Sequence, residues 1–140
     1  MEDRYLFKAK FDDSDRWAKG QLVEVNDTYF IIPNHASKIL AGLFSASNIV
    51  EVKKDTICKC TGLKDKNGKL IWENDVVAYW DTYSTESGYA EADCIGKVVW
   101  DDETISFQVT NRLSAESWEV LDDECSVVGN AIDNPELLEV

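Results

Sequence analysis

Histidine is nearly absent from this sequence: His35 is the only one in 140 residues. A serine or cysteine nucleophile needs a base beside it. His35 follows Pro33-Asn34 with no motif around it, so it reads as a surface or helix-start side chain rather than a catalyst. Glycine-rich phosphate loops of the Walker or dinucleotide type are missing as well. No apolar run approaches the length of a membrane span. The start, Met1-Glu2-Asp3-Arg4-Tyr5, lacks the basic-then-apolar layout of a signal peptide. The expectation is a cytoplasmic protein with no membrane contact and no enzymatic activity.

Cysteine is present but not arranged for metal. Cys58 and Cys60 lie two apart and would share one face of a strand. Neither Cys94 nor Cys125 sits in the two-cysteine knuckle that zinc sites use. All four are expected as reduced structural thiols, and no cofactor or metal is expected. The acidic runs Asp101-Asp102-Glu103 and Asp122-Asp123-Glu124 offer the oxygens that a hard cation wants, without EF-hand spacing. They read first as solvated turns, with a metal-dependent factor or enzyme as the alternative.

Positive charge is scarce in the second half. Residues 1–60 balance nine acidic against nine basic side chains, whereas residues 61–140 hold eighteen acidic against five basic, which is the whole net charge of −13. After Lys69 only Lys97 and Arg112 are basic. Such a surface repels phosphate backbones, so direct nucleic-acid binding is not expected. It suits solubility, or docking to a basic partner, including mimicry of nucleic-acid charge.

What is abundant is β pattern. With 44% apolar residues and five each of Trp, Tyr and Phe, a single 140-residue domain can bury a core without staples. Tyr5, Phe7, Ala9 and Phe11 alternate with Lys8 and Lys10, which predicts a half-buried strand with the lysines facing out. Residues 17–25 return, Asn26-Asp27 turns, and 28–32 form a third strand, giving an antiparallel meander. Residues 35–44 place Ile39, Leu40, Leu43 and Phe44 at helical spacing after Asn34; a short helix and an irregular loop with apolar anchors both fit. Strands follow at 49–52 and 56–60.

The most patterned stretch runs from Cys60 to Val77. Thr61-Gly62-Leu63 leads to the tip Lys64-Asp65-Lys66-Asn67-Gly68, where Asn67-Gly68 favours a positive-φ turn. Glu73-Asn74-Asp75 is a second turn, and Leu63, Ile71, Trp72, Val76 and Val77 are expected in the core. Lys64, Lys66 and Lys69 make a small basic knob, read as solvated. Residues 81–93 are polar, acidic and glycine-containing, and read as a long exposed hairpin arm between two strands. Strands are expected at 94–100, 104–109 and 126–132. Residues 113–123 read as a strand or a loop around Trp118. Trp72, Trp80 and Trp100 are assigned to the core. Asn134 as cap, Pro135 as first residue and Glu136 predict a C-terminal helix.

Taken together these blocks resemble the YopX family of phage and prophage proteins. Arg4 to Lys10 with Trp17 and Gly20 is similar to the family's opening. Thr61 to Lys69 with Ile71, Glu73, Asp75 and Val77 resembles its central signature, and Val128-Gly129-Asn130 with Asp133 to Leu137 its closing motif. Asn74 departs from the family's usual glycine, but asparagine tolerates the positive φ. The resemblance implies a β-rich fold around a small barrel-like sheet, a bacterial host cytoplasm, and no assigned activity or site residues.

The sequence therefore predicts one domain over 1–140, all-β or β-dominated α+β. An N-terminal meander and short helix (1–55) accompany a small SH3-like or partly open barrel half (56–140), with one or two short capping helices. The expected role is a non-enzymatic accessory protein that binds a host or phage protein through its acidic half. Tyr83, Glu86, Tyr89, Glu91, Asp93 and Trp118 are the candidate contacts, and Trp118 or a free edge strand also offers a route to homo-oligomers.

Overall fold

The N-terminal alternation becomes strand β1 (Phe7–Lys10), which pairs antiparallel with β2 (Trp17–Val25). The computed structural model describes residues 5–33, 49–111, 117–119 and 124–138; within them the side chains of 80–85, 89–93, 111 and 117–119 lie outside the description. The expected helix at 35–44, with His35, also lies outside it, as do Asp122 and Asp123.

Backbone packing divides the chain into Met1–Cys60 and Thr61–Val140. In the first unit, β2 turns into β3 (Thr28–Pro33), and β4 (Val50–Val52) follows, giving the order β4-β3-β2-β1-β5. Asn26 (φ 50°) and Asp27 (φ 64°) take the two left-handed positions of the tight β2–β3 turn, which matches strand twist and suits these two residue types. A 3₁₀ turn at Lys54–Thr56 leads to β5 (Cys58–Lys64). Thr56 locks that turn: its Oγ1 accepts from the Lys10 N–H (2.9 Å) and donates to the Lys53 carbonyl (2.7 Å). The core gathers Ala9, Ala18, Ile31 and Val52, with Phe7, Phe11, Leu22, Tyr29, Val50 and Ile57 around them.

Two expectations change here. Lys8 and Lys10 do alternate away from Phe7 and Ala9, yet both are buried. Their ammonium groups lie 4.8 and 5.5 Å from the Trp17 ring centroid, where the ring's negative face attracts cations. The division of the chain also falls at Cys60 rather than after residue 55, because the start of β5 pairs with β1 (Phe7 opposite Lys59, Lys8 opposite Cys58).

In the second unit, β6 (Leu70–Trp72), β7 (Asp75–Thr85), β8 (Gly88–Asp101), β9 (Ser106–Asn111), β10 (Ser117–Glu119) and β11 (Ser126–Asn130) follow. Five of them form a sheet in the order β10-β9-β8-β7-β11. One face holds Val77, Val98 and Val109, which pack with Ile71 and Cys125, flanked by Tyr79, Phe107 and Val127.

The fold is all-β. The expected barrel does not close: both sheets are open, and β10 and β11 stand at opposite edges of theirs. The expected C-terminal helix is a single 3₁₀ turn at Pro135–Leu138, and Asn134 Oδ1 accepts from the Asn130 N–H behind it (3.3 Å). Leu63 is 40% exposed and Trp100 37%, so neither is the core residue the sequence suggested.

Candidate functional site

The Cys60–Val77 stretch is the natural place to look for chemistry, and its polar groups are consumed by structure. Asp65 is buried. Its Oδ1 accepts from the N–H groups of Asn67 and Lys69, each at 2.9 Å, and its Oδ2 from the N–H of Val127 at 2.9 Å. Burial alone would push this carboxyl up. The Val127, Lys69 and Asn67 amides, with the Lys69 ammonium, outweigh it and hold the group below its ordinary value. Lys66 N–H adds a bond to the Cys125 carbonyl (3.0 Å), and Asn67 Nδ2 donates to Ser126 Oγ (3.2 Å). The hairpin tip is thus stitched to β11. Lys64, Lys66 and Lys69 are exposed, as expected of a solvated knob.

The second turn is fixed in the same way. Asp75 Oδ2 accepts from the Trp72 N–H at 2.8 Å. Asn74 holds φ 71°, the left-handed geometry that asparagine tolerates. Its N–H donates to the Val98 carbonyl (2.8 Å) and its carbonyl accepts from Ala131 N–H (2.7 Å).

The closing motif follows suit. Pairing of β11 with β7 shifts register between Val127 and Gly129. At Gly129 an added Cβ would lie 2.7 Å from both Asn134 Oδ1 and Leu137 Cδ1, so any larger residue has to push those side-chain ends aside. Asn130 Oδ1 accepts from Ile132 N–H (3.1 Å) and Asp133 N–H (2.7 Å).

The candidate contacts fall elsewhere. Residues 81–93 form a hairpin, as expected: they continue β7 and β8, paired from Val76 opposite Lys97 to Thr85 opposite Gly88 around the exposed turn Glu86-Ser87. The strand ladder already anchored by the sheet extends through Thr82, Tyr83, Thr85 and Tyr89, residue types that favour strands. Tyr83 pairs with Ala90, Tyr89 with Ser84, Glu91 with Thr82 and Asp93 with Trp80. Five of the six candidates therefore share one ribbon. Trp118 lies apart on β10, opposite Val109. β9 accompanies β8 only from Gly96 onward, and β11 accompanies β7 only as far as Ala78. Among the described strands, none flanks the ribbon beyond those points.

The acidic turn at 101–103 spends its oxygens on itself. Asp101 Oδ1 accepts from Glu103 N–H (3.0 Å) and Oδ2 from Thr104 Oγ1 (2.9 Å), while Asp102 Oδ1 accepts from the Trp100 indole N–H (2.7 Å). Among the described residues no three His, Cys, Asp or Glu gather into a metal-holding group. The four cysteines are buried thiols outside any disulfide, and Cys58 Sγ donates to the Thr56 carbonyl at 3.3 Å. Sequence reasoning missed an open apolar hollow of about 260 Å³ lined by Val23, Val25, Phe30 and Ile49. None of those side chains carries a functional group, and their period-2 spacing was the only signal.

Against this geometry, the family model described as YopX protein matches residues 6–139. The chain belongs to the YopX family. Apart from Arg4 and Tyr5, the opening, central and closing blocks lie in that span, and in this YopX chain the central and closing ones are structural ties. No curated protein matches the chain. No described helix is long and apolar enough to cross a membrane.

Proposed function

We propose that this YopX-family chain is a non-enzymatic accessory protein, of phage or prophage context, that binds another protein through its acidic second half. The observation that carries this reading is the division of labour within residues 61–140. The signature carboxylates Asp65 and Asp75 are buried and bonded to backbone, while the acids Asp81, Glu86, Glu91 and Asp93 ride on a ribbon that runs past its sheet with no Lys or Arg among residues 81–93. Negative charge on a projecting ribbon steers a basic partner and repels phosphate.

The test is affinity capture from bacterial lysate with the full chain and with an arm-trimmed variant. Replacing 82–91 by Asn-Gly closes the hairpin on the Asp81–Ala92 pair. A partner retained by the full chain, released by salt and lost from the trimmed variant supports the reading. A partner held equally by both removes the arm from it. The same charge concentration favours a second reading, mimicry of nucleic acid against a host DNA-binding protein. Failure to displace DNA from any captured factor at low salt would exclude it.

A further inference from the structure

The β8–β9 hairpin carries a feature that the fold does not require. Asp101 and Ser106 are its last paired residues, so Asp102, Glu103, Thr104 and Ile105 form a four-residue loop. Ile105 closes it at φ 53°. That conformation suits glycine or asparagine, and a β-branched side chain is a true outlier there. Burial does not explain the choice, because Ile105 is 74% exposed, the highest value among the exposed large apolar residues. At the loop's base Trp100 is 37% exposed, its ring edge-on to Phe107 at 5.0 Å.

The rest of the loop is tied by hydrogen bonds. Besides the Asp101 and Asp102 bonds already described, Thr104 Oγ1 accepts from Gln108 Nε2 (2.8 Å) and lies 2.8 Å from Ser106 Oγ. A strained, solvent-facing isoleucine on a clamped loop contributes nothing to folding that asparagine would not contribute better. Strain of this kind persists where a site needs a particular side chain presented, and prior ordering lowers the entropy lost on binding.

We propose that this loop is a preformed docking knob: Ile105, with Trp100 at its base, enters an apolar pocket on a protein partner whose rim carries Lys or Arg. Charge selects the occupant. Asp101, Asp102 and Glu103 share this hairpin end with Ile105, so a second copy would bring carboxylates against carboxylates, whereas a basic rim would meet them with opposite charge. The inference rests on the reading of the acidic half as protein-binding, but it uses a surface separate from the arm.

The test is a displayed random-peptide library selected on the full chain, with the enriched peptides then titrated against Ile105→Asn and against the arm-trimmed variant. Asparagine accepts the left-handed geometry, so Ile105→Asn should fold and melt about 3 °C higher. The expected peptides combine an aliphatic or aromatic residue with flanking Lys or Arg and bind Ile105→Asn roughly tenfold or more weakly. The proposal is overturned by peptides without basic residues, by unchanged affinity for Ile105→Asn, or by a variant that melts below the parent. Concentration-dependent self-association abolished by Ile105→Asn overturns it in favour of a second copy. Binding that survives Ile105→Asn but fails on the trimmed arm removes the knob and leaves the protein-binding reading standing. A selection that enriches nothing removes both.

Discussion

The tip at 64–69 and the loop at 101–106 are both carboxylate-bearing hairpin ends within one unit, and they spend those carboxylates differently. Asp65 is buried and reaches across 62 residues to Val127. Asp101 and Asp102 bond only within a few residues of themselves. The first carboxylate joins strands that are distant in sequence, and the second merely shapes the loop that bears it. A buried acceptor with three donors is costly to remove because each donor loses its partner, whereas a solvated turn has water as a substitute.

That contrast sets the order of effects. Asp65→Ala should destabilise the fold most, by about 3–5 kcal/mol, since three N–H groups lose their acceptor; chemical denaturation of variant and parent measures it. Gly129→Ala comes next, at about 2 kcal/mol, because its Cβ has to displace Asn134 and Leu137, read by the same midpoints. The Asp65 carboxyl is depressed in the fold, so its contribution is complete above the ordinary carboxylate range near about 4 and disappears as pH falls through the lower folded value. The Tm gap between parent and Asp65→Asn should therefore stay constant from neutral pH down to that range and narrow below it. A gap that widened in acid would refute the sign. Smallest of all, Glu86→Lys at the exposed arm turn should move stability by no more than about 0.5 kcal/mol. A larger loss would show the arm to be as integral as the stitched tip.

Much of this architecture was legible beforehand, and the reasons are local. Alternation gave β1 to β3, and Asn26-Asp27 and Asn74 announced left-handed turns because few other residues accept them. What stayed hidden depends on neighbours distant in sequence. Nothing near Lys8 and Lys10 says that Trp17 will receive both ammonium groups, and nothing near Asn134 says that its side chain turns back to Asn130. The arm was legible as a hairpin from its place between two strands, but the length of its ladder was not, because strand pairing there is inherited from the anchored ladder behind it. The signature was recognisable while its purpose was not: sequence shows that Asp65 sits at a turn, and only the partner strand shows why the turn needs an acid. Ile105 gave no warning at all, since an isoleucine between Thr104 and Ser106 reads as ordinary strand.

The bond from Val127 to Asp65 also has a consequence in time. A ribosome adding about 5–20 residues per second delivers Val127 roughly 3–12 s after Asp65, given the 62-residue separation. Once the tip has left the ribosome, Oδ1 has both of its donors, Asn67 and Lys69, within its own turn, while the donor for Oδ2 is still to come. The tip is therefore ready before the strand it fastens exists, and β11 arrives last, at a receptor that its own chain prepared seconds earlier.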